Sequence, residues 1–268
     1  MRRVLEGTAL LMLVLSASLL SQSRNRTGRV NDDCPGGWND DRYRHCEVRE
    51  ATVPGGNPLD VDPGTNGGIR VRGWDRNDVH VVTRISAYAD SAAEARQLAA
   101  GVRVEATSTA IRAEGPNGRS DEHWSASFEI DVPRSAMISL HTVNGGISIE
   151  SFRGTAKFTA RNGGIKLLDV GGDIRGETTN GGVSVDLSGD RWDGAGLDVE
   201  THNGGIKMTV PDGYSASLET GTVNGRVNVD FPMTVQGRIS RQLTTTLGSG
   251  GPRIRVMTTN GGVSIQRR

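Results

Sequence analysis

Aromatic residues make up only 4% of this 268-residue chain, so it has few rings to spare for the stacking platforms on which sugar-binding clefts usually rely. Basic and acidic residues balance at 31 each, and a formal net charge of zero gives no electrostatic footprint for nucleic acid. Lysine occurs only at 157, 166 and 207, which reads as a genome-level bias toward arginine. There are two cysteines, and no apolar run follows Leu20. No Gly-x-Ser-x-Gly elbow, phosphate loop or Gly-Gly-x-Gly-x-Asp calcium nonapeptide is present. The stretch Gly171 to Gly176 lacks the strand-to-helix context that gives a dinucleotide motif its meaning. No cofactor is expected.

What is abundant is glycine, 37 residues, about twice the usual ~7%, and much of it sits in one phrase. Asn-Gly-Gly followed by a β-branched residue begins at Asn66, Asn144, Asn162, Asn180, Asn203 and Asn260, with Asn224-Gly225-Arg226-Val227 as a degenerate copy. From Asn144 to Asn224 the steps are 18, 18, 23 and 21 residues, an internal repeat. Two residues before Asn stands Thr or Ala (Thr142, Ala160, Thr178, Thr201, Thr222, Thr258). After the glycines the pattern is apolar-polar-apolar, as in Ile147-Ser148-Ile149 and Ile206-Lys207-Met208. That is strand alternation with one face buried. Asn and Gly tolerate positive φ, so each phrase is expected to be a reversal or sharp corner.

Two folds accommodate such corners: an antiparallel β-meander with type I′ hairpins, or a parallel β-solenoid with rungs of about 18–23 residues. Stacked rungs put equivalent positions about 4.8 Å apart and reward the same residue at every level. Thr, Asn, both glycines and the β-branched residue all repeat together, which favours the solenoid. Secondary turns near Gly154, Gly172, Gly189 to Gly194, Gly213 and Gly248 to Gly251 fall about midway between copies.

Residues 1–23 read as a secretory signal. Arg2 and Arg3 precede an uncharged, largely apolar stretch from Thr8 to Leu20, too short to cross a ~30 Å hydrocarbon core comfortably. Residues 24–50 form a polar segment in which Cys34 and Cys46 are expected to pair, since an even count in an exported chain reads as a disulfide. Closing that loop is worth roughly 3 kcal/mol in the chain-entropy model. Residues 51–268 form the repeat domain. Its main array spans about 136–268, and an α/β insertion at about 79–135 covers one end or flank. The insertion holds the one good helix, Ser91 to Ala100, with Asp90 or Ser91 as N-cap and Gly101 as stop.

The phrases at Thr142, Thr178, Thr201 and Thr258, the opening Ile69-x-Val71-x-Gly73-Trp74-Asp75, the helix after Tyr88 and the strand Phe128 to Pro133 carry a resemblance. The chain resembles a bacterial family of adhesin-like domains with β-strand repeats, formally a domain of unknown function, over about residues 50 to 266. The resemblance implies an envelope or surface-associated β-solenoid with no assigned catalytic residues. Asn224-Gly225-Arg226 departs from the pattern, which puts in doubt the close backbone approach that a second glycine permits.

The search for chemistry yields candidates but no constellation. Asp169, Asp173, Asp186, Asp190, Asp193 and Asp198 are weighed as paired carboxylates or calcium ligands, yet they sit mainly at glycine-rich turns, where Asp is a good turn former. His141 and His202 lie three rungs apart, too far for one metal. What remains is a surface: the outward row Ser148, Lys166, Ser184, Lys207 and Asn228 forms a polar ladder. The leading reading is a non-enzymatic exported scaffold, adhesin-like or envelope-associated, located in the periplasm, at the cell surface or in the medium. Its expected partner is an envelope or surface protein or glycan, with membrane contact only through an uncleaved signal. A carbohydrate-active β-helix enzyme and an accessory or sensing module acting through a protein partner are the alternatives.

Overall fold

The computed structural model describes residues 26–27, 43–118, 122–230 and 241–268. The signal segment and Cys34 lie outside the described residues. In chain order the elements are β1 (Arg26–Thr27), β2 (Tyr43–Pro54), β3 (Leu59–Asp62), β4 (Ile69–Trp74), β5 (Asp78–Ala89), α1 (Ala92–Gly101), β6 (Arg103–Ala106), β7 (Ala110–Glu114) and β8 (His123–Pro133). Strands alone follow: β9 (Met137–Asn144), β10 (Ile147–Phe152), β11 (Thr155–Asn162), β12 (Ile165–Val170), β13 (Asp173–Asn180), β14 (Val183–Asp186) and β15 (Gly196–Asn203). The last are β16 (Ile206–Val210), β17 (Ala216–Asn224), β18 (Val227–Val229), β19 (Gln242–Leu247), β20 (Arg253–Asn260) and β21 (Val263–Arg267).

The chain is mainly β, in two long sheets rich in parallel pairs. Sheet I has the order β1-β2-β5-β8-β4-β10-β12-β14-β16-β21-β18, and sheet II the order β19-β17-β20-β15-β13-β11-β9-β3-β7-β6. Asn144 pairs with Asn162, Asn162 with Asn180 and Asn180 with Asn203, all in parallel register. Strands β11 and β12, which flank Asn162, lie in different sheets. The phrase therefore carries the chain from sheet II to sheet I, as a solenoid corner does and a hairpin turn does not.

Alternation fills the space between the sheets. Ile147, Ile165, Val183, Ile206 and Val263 stack in register on sheet I, and Ile138, Ala156, Ile174, Leu197 and Ile254 on sheet II; all are buried. Each fully buried Ile or Val contributes about 1.5–3 kcal/mol. Where a large side chain enters, its neighbour shrinks: a Cβ on Gly176 would lie 2.1 Å from the ring of Phe158.

Spatial order departs from chain order at both ends. The Asn66 rung, β3 and β4, lies between β7 and β8 on one side and β9 and β10 on the other; the Asn260 rung, β20 and β21, lies between those of Asn203 and Asn224. Charge complementarity accompanies both interpositions. Arg72 on β4 stands in register between Asp131 and Glu150, and Arg255 on β20 between Asp198 and Glu219. Stacking in strict chain order would put Asp131 against Glu150 and Asp198 against Glu219, and like charges directly opposite destabilise a sheet.

Segment 78–133 does more than cover a flank, because its β7 and β8 pair in parallel with β3 and β4 and extend the stack. Helix α1 packs on β5 and β2 through Ala95, Leu98 and Ala99. Ser91 is the N-cap, its Oγ accepting from the Glu94 amide at 3.2 Å. Gly101 is the last helical residue rather than the residue beyond it.

Candidate functional site

The repeated corner is a stack of identical contacts. Each Asn side chain donates Nδ2 to the Oδ1 of its neighbour: Asn144 to Asn66 at 2.9 Å, Asn162 to Asn144 at 2.8 Å, Asn180 to Asn162 at 2.8 Å and Asn203 to Asn180 at 2.9 Å. Asn260 donates to Asn203 and Asn224 to Asn260, both at 2.8 Å, so the amides form one continuous line pointing the same way. Aligned amide chains polarise one another. Beneath them the buried Thr142, Thr178, Thr201, Thr222 and Thr258 donate Oγ1 to first-glycine carbonyls at 2.7–2.8 Å. A threonine two residues before Asn thus satisfies a backbone oxygen inside the stack.

The glycines serve a different purpose from the one expected. Gly163 and Gly181 do not adopt left-handed φ. A Cβ on Gly163 would instead lie 2.0 Å from the Gly145 carbonyl oxygen, so the residue is fixed by the approach of the neighbouring backbone. The second slot faces the other way, toward the next rung: a Cβ on Gly262 would point at the Arg226 oxygen. Arg226 itself leads into β18, the last strand of sheet I among the described residues, so no further rung crowds its side chain. That explains the one departure from the phrase.

Four residues after each Asn lies the outward row of sheet I. In register it runs Glu129, Arg70, Ser148, Lys166, Ser184, Lys207, Ser264, Asn228, Glu129 being the β8 residue beside Arg70. All five residues expected in the ladder, Ser148, Lys166, Ser184, Lys207 and Asn228, fall on it, but Ser264 separates Lys207 from Asn228. Arg70 and Ser264 were missed by sequence reasoning, although the Asn-plus-four spacing from Asn66 and Asn260 identifies both. Arg70, Lys166 and Lys207 are exposed and make no ion pair among the described residues. Beside Arg70 and Lys166 runs a groove of about 310 Å³ lined also by Gly68, Gly146, Gly164, Ser148 and Glu129, among others; Lys207 lies beyond it.

On sheet II most arginines are engaged. Arg112 pairs with Asp60 at 2.7 Å, Arg175 with Asp173 at 2.9 Å, Arg253 with Asp198 at 3.2 Å and Arg255 with Asp198 at 2.7 Å. Burial works against the Arg255 charge, but hydrogen bonds to Asp198 and Glu200 outweigh it and raise its pKa. Lys157 and Arg161, on β11, stand without an ion pair among the described residues.

The acidic candidates do not converge. Asp186 pairs with Arg268 at 3.4 Å and Asp190 with Arg191 at 3.9 Å, while the Asp193 carbonyl accepts from Gly172 N. Asp169 is the most engaged: Arg153 and Ser188 donate to it, as does Ser151 at 3.2 Å. Burial pushes its pKa up, but these hydrogen bonds prevail and hold it below the usual carboxylate value. Nearby Tyr214 is pushed up to about 12, chiefly by burial. No group of three His, Cys, Asp or Glu among the described residues is placed to hold a metal. His141 contacts Thr159 at 2.7 Å, on the neighbouring strand, with His202 three strands away on β15. Trp74, Trp124 and Trp192 each donate Nε1 to a backbone carbonyl at 2.9–3.0 Å. Cys46 lies on β2 with Sγ 3.4 Å from Ser86 Oγ, while its expected partner Cys34 is outside the described residues. No helix among the described residues is long and apolar enough to cross a membrane.

No curated protein matches the chain. Solved structures similar to it include a "putative cell adhesion protein" from Clostridium sporogenes ATCC 15579, 10% identical, covering 85% of this chain and 100% of that one, with a TM-score of 0.38. A "putative adhesin" from Bacteroides fragilis NCTC 9343 is 9% identical and covers 83% of this chain and 97% of that one, with a TM-score of 0.27. A "putative lipid binding protein" from Parabacteroides distasonis ATCC 8503 is 13% identical and covers 83% and 96%, with a TM-score of 0.29. Residues 125–266, more than half of the chain, match the family described as Toastrack DUF4097. The stacked Asn-Gly-Gly corners and that match together establish that the chain belongs to the Toastrack DUF4097 family, a domain of unknown function.

Proposed function

We propose that this chain is a non-enzymatic, adhesin-like scaffold of the cell envelope, exported through its N-terminal signal and closed at its polar N-terminal segment by a Cys34–Cys46 bond. Its binding face is the outward side of sheet I. The observation that carries this reading is the row Arg70, Lys166, Lys207: three exposed cations at equivalent positions of a parallel stack, which the fold does not use in ion pairs among the described residues. The acidic residues that an enzyme would need are tied to arginines, serines or turns. Names borne by the similar structures, adhesin and cell adhesion protein, agree with a binding role but say nothing of a ligand.

The reading is tested with mature protein and isolated cell envelopes of the native host. Saturable co-sedimentation that weakens with added salt is expected, with no release of sugar whether or not calcium is present. Absence of retention contradicts the scaffold, as does glycan cleavage that Asp169→Asn abolishes.

A further inference from the structure

We propose that the outward row of sheet I, of which the groove borders the Arg70 to Lys166 part, holds a linear acidic polysaccharide lying along the stack, across the strands, with its carboxylates or sulfates over Arg70, Lys166 and Lys207. This rests on the scaffold reading above and names its ligand class.

Three features of the row point to that chemistry. The first is spacing. Cations occupy every second strand, so they recur at two strand spacings, about 10 Å, and a polymer carrying an acid on alternate sugars presents charge at a comparable interval. A nucleic acid strand carries a charge about every 3.4 Å, far denser than the row can match. The second is what stands between the cations. Ser148 separates Arg70 from Lys166, Ser184 separates Lys166 from Lys207, and Ser264 follows. Hydroxyls donate and accept, which suits the neutral sugar between two acidic ones. Ionic and hydroxyl contacts of this kind need no aromatic platform, so the scarcity of rings is no obstacle.

The third feature is the flanks. On one side the second glycines Gly68, Gly146 and Gly164 leave a floor of bare backbone in the groove. On the other, the next outward row in register is Asp131, Arg72, Glu150, Leu168, Asp186, Thr209 and Gln266. In that row Asp131 pairs with Arg72 and Asp186 with Arg268, which leaves Glu150 as its carboxylate without an ion pair among the described residues, beside Ser148 and Arg72. A broad anionic surface such as a membrane would bring charge against Glu150, whereas a single chain along the Arg70 row would not. Charge complementarity along a line therefore favours a polymer over a lipid surface.

The experiment measures binding of the full mature chain to hyaluronate, an alternating acidic and neutral polysaccharide, beside neutral dextran and anionic phosphatidylglycerol vesicles. Hyaluronate is expected to bind in a salt-dependent way and dextran not to bind. Lys166→Glu combined with Lys207→Glu should weaken hyaluronate binding about tenfold or more, and the paired Gln substitutions should weaken it less. Lys157→Glu makes a single charge reversal at the unpaired lysine of sheet II, and should change binding by less than about twofold. Circular dichroism confirms that each variant folds. Equal loss in the Lys157 variant overturns the proposal, as does vesicle binding stronger than hyaluronate binding. Failure to bind hyaluronate while native envelopes are still retained overturns the polysaccharide and leaves the scaffold standing; loss of both removes the scaffold too.

Discussion

Each turn of this stack has two corners, one uniform from rung to rung and the other variable. At the Asn-Gly-Gly corner neighbouring backbones touch. Gly163 N donates to Asn180 O at 2.9 Å, and Asn side chains bond rung to rung. At the second corner the chain returns through connections of different length: residues 153–154 after β10, 171–172 after β12, 187–195 after β14 and 211–215 after β16. The left-handed glycines Gly172, Gly189, Gly194 and Gly213 lie there, while Gly248 and Gly250 lie in the β19–β20 connection within sheet II. Backbones meet there in some turns as well, a Cβ on Gly172 lying 1.9 Å from the Gly154 oxygen and one on Gly154 2.0 Å from the Ala136 oxygen, and a side-chain group of Asp169, Arg153, Ser188 and Ser151 adds to the contact. Repetition in the sequence marks the corner where the same backbone contact recurs at every rung, because no residue but glycine fits between two carbonyl-lined layers. Where the contact differs from turn to turn, connections of different length return the chain.

The largest test of this contrast compares two alanine substitutions. Gly163→Ala drives a Cβ against the Gly145 oxygen and should lower unfolding free energy by about 3 kcal/mol or more. Gly213→Ala has nothing within 4 Å of its Cβ but a φ of 72°, and should cost only about 1 kcal/mol. Chemical denaturation that reverses this order would contradict the claim that close backbone approach fixes the first corner.

A smaller effect separates the corners by pH. The Asp169 carboxyl has a folded pKa below its unfolded value, so its contribution is full above the unfolded value of about 3.9 and is lost as pH falls through the folded pKa. With its side chain part-exposed, Asp169→Asn should cost about 1 kcal/mol at pH 7, and this difference from wild type should vanish in strong acid. The amide line of the first corner does not titrate, so a difference that persists unchanged at the lowest pH would contradict the ionic account of the second corner.

The solenoid was legible because alternation and Asn-Gly-Gly spacing are local patterns. The outward row was legible for the same reason, one residue at a fixed offset from each Asn. What the sequence could not show was which rung neighbours which. The interposition of the Asn66 and Asn260 rungs brings Arg72 and Arg255 to acids 59 and 57 residues away in Asp131 and Asp198, a pairing that no local pattern announces. The role of the first glycine was misread because both a left-handed φ and a close backbone approach demand glycine, and only the stacked neighbour distinguishes them. Arg226 became intelligible once β18 proved to be an end strand.

Native-state hydrogen exchange tests the central claim, that the repeated corner is a continuous backbone stack, most directly. The amides of Gly145, Gly163 and Gly181, which bond to Asn162, Asn180 and Asn203 of the next rung at 2.9–3.0 Å, should exchange only with global unfolding, while those of Gly189 and Gly213 exchange through local opening. Exchange of the Gly145, Gly163 and Gly181 amides as fast as that of the second-corner glycines would contradict the account.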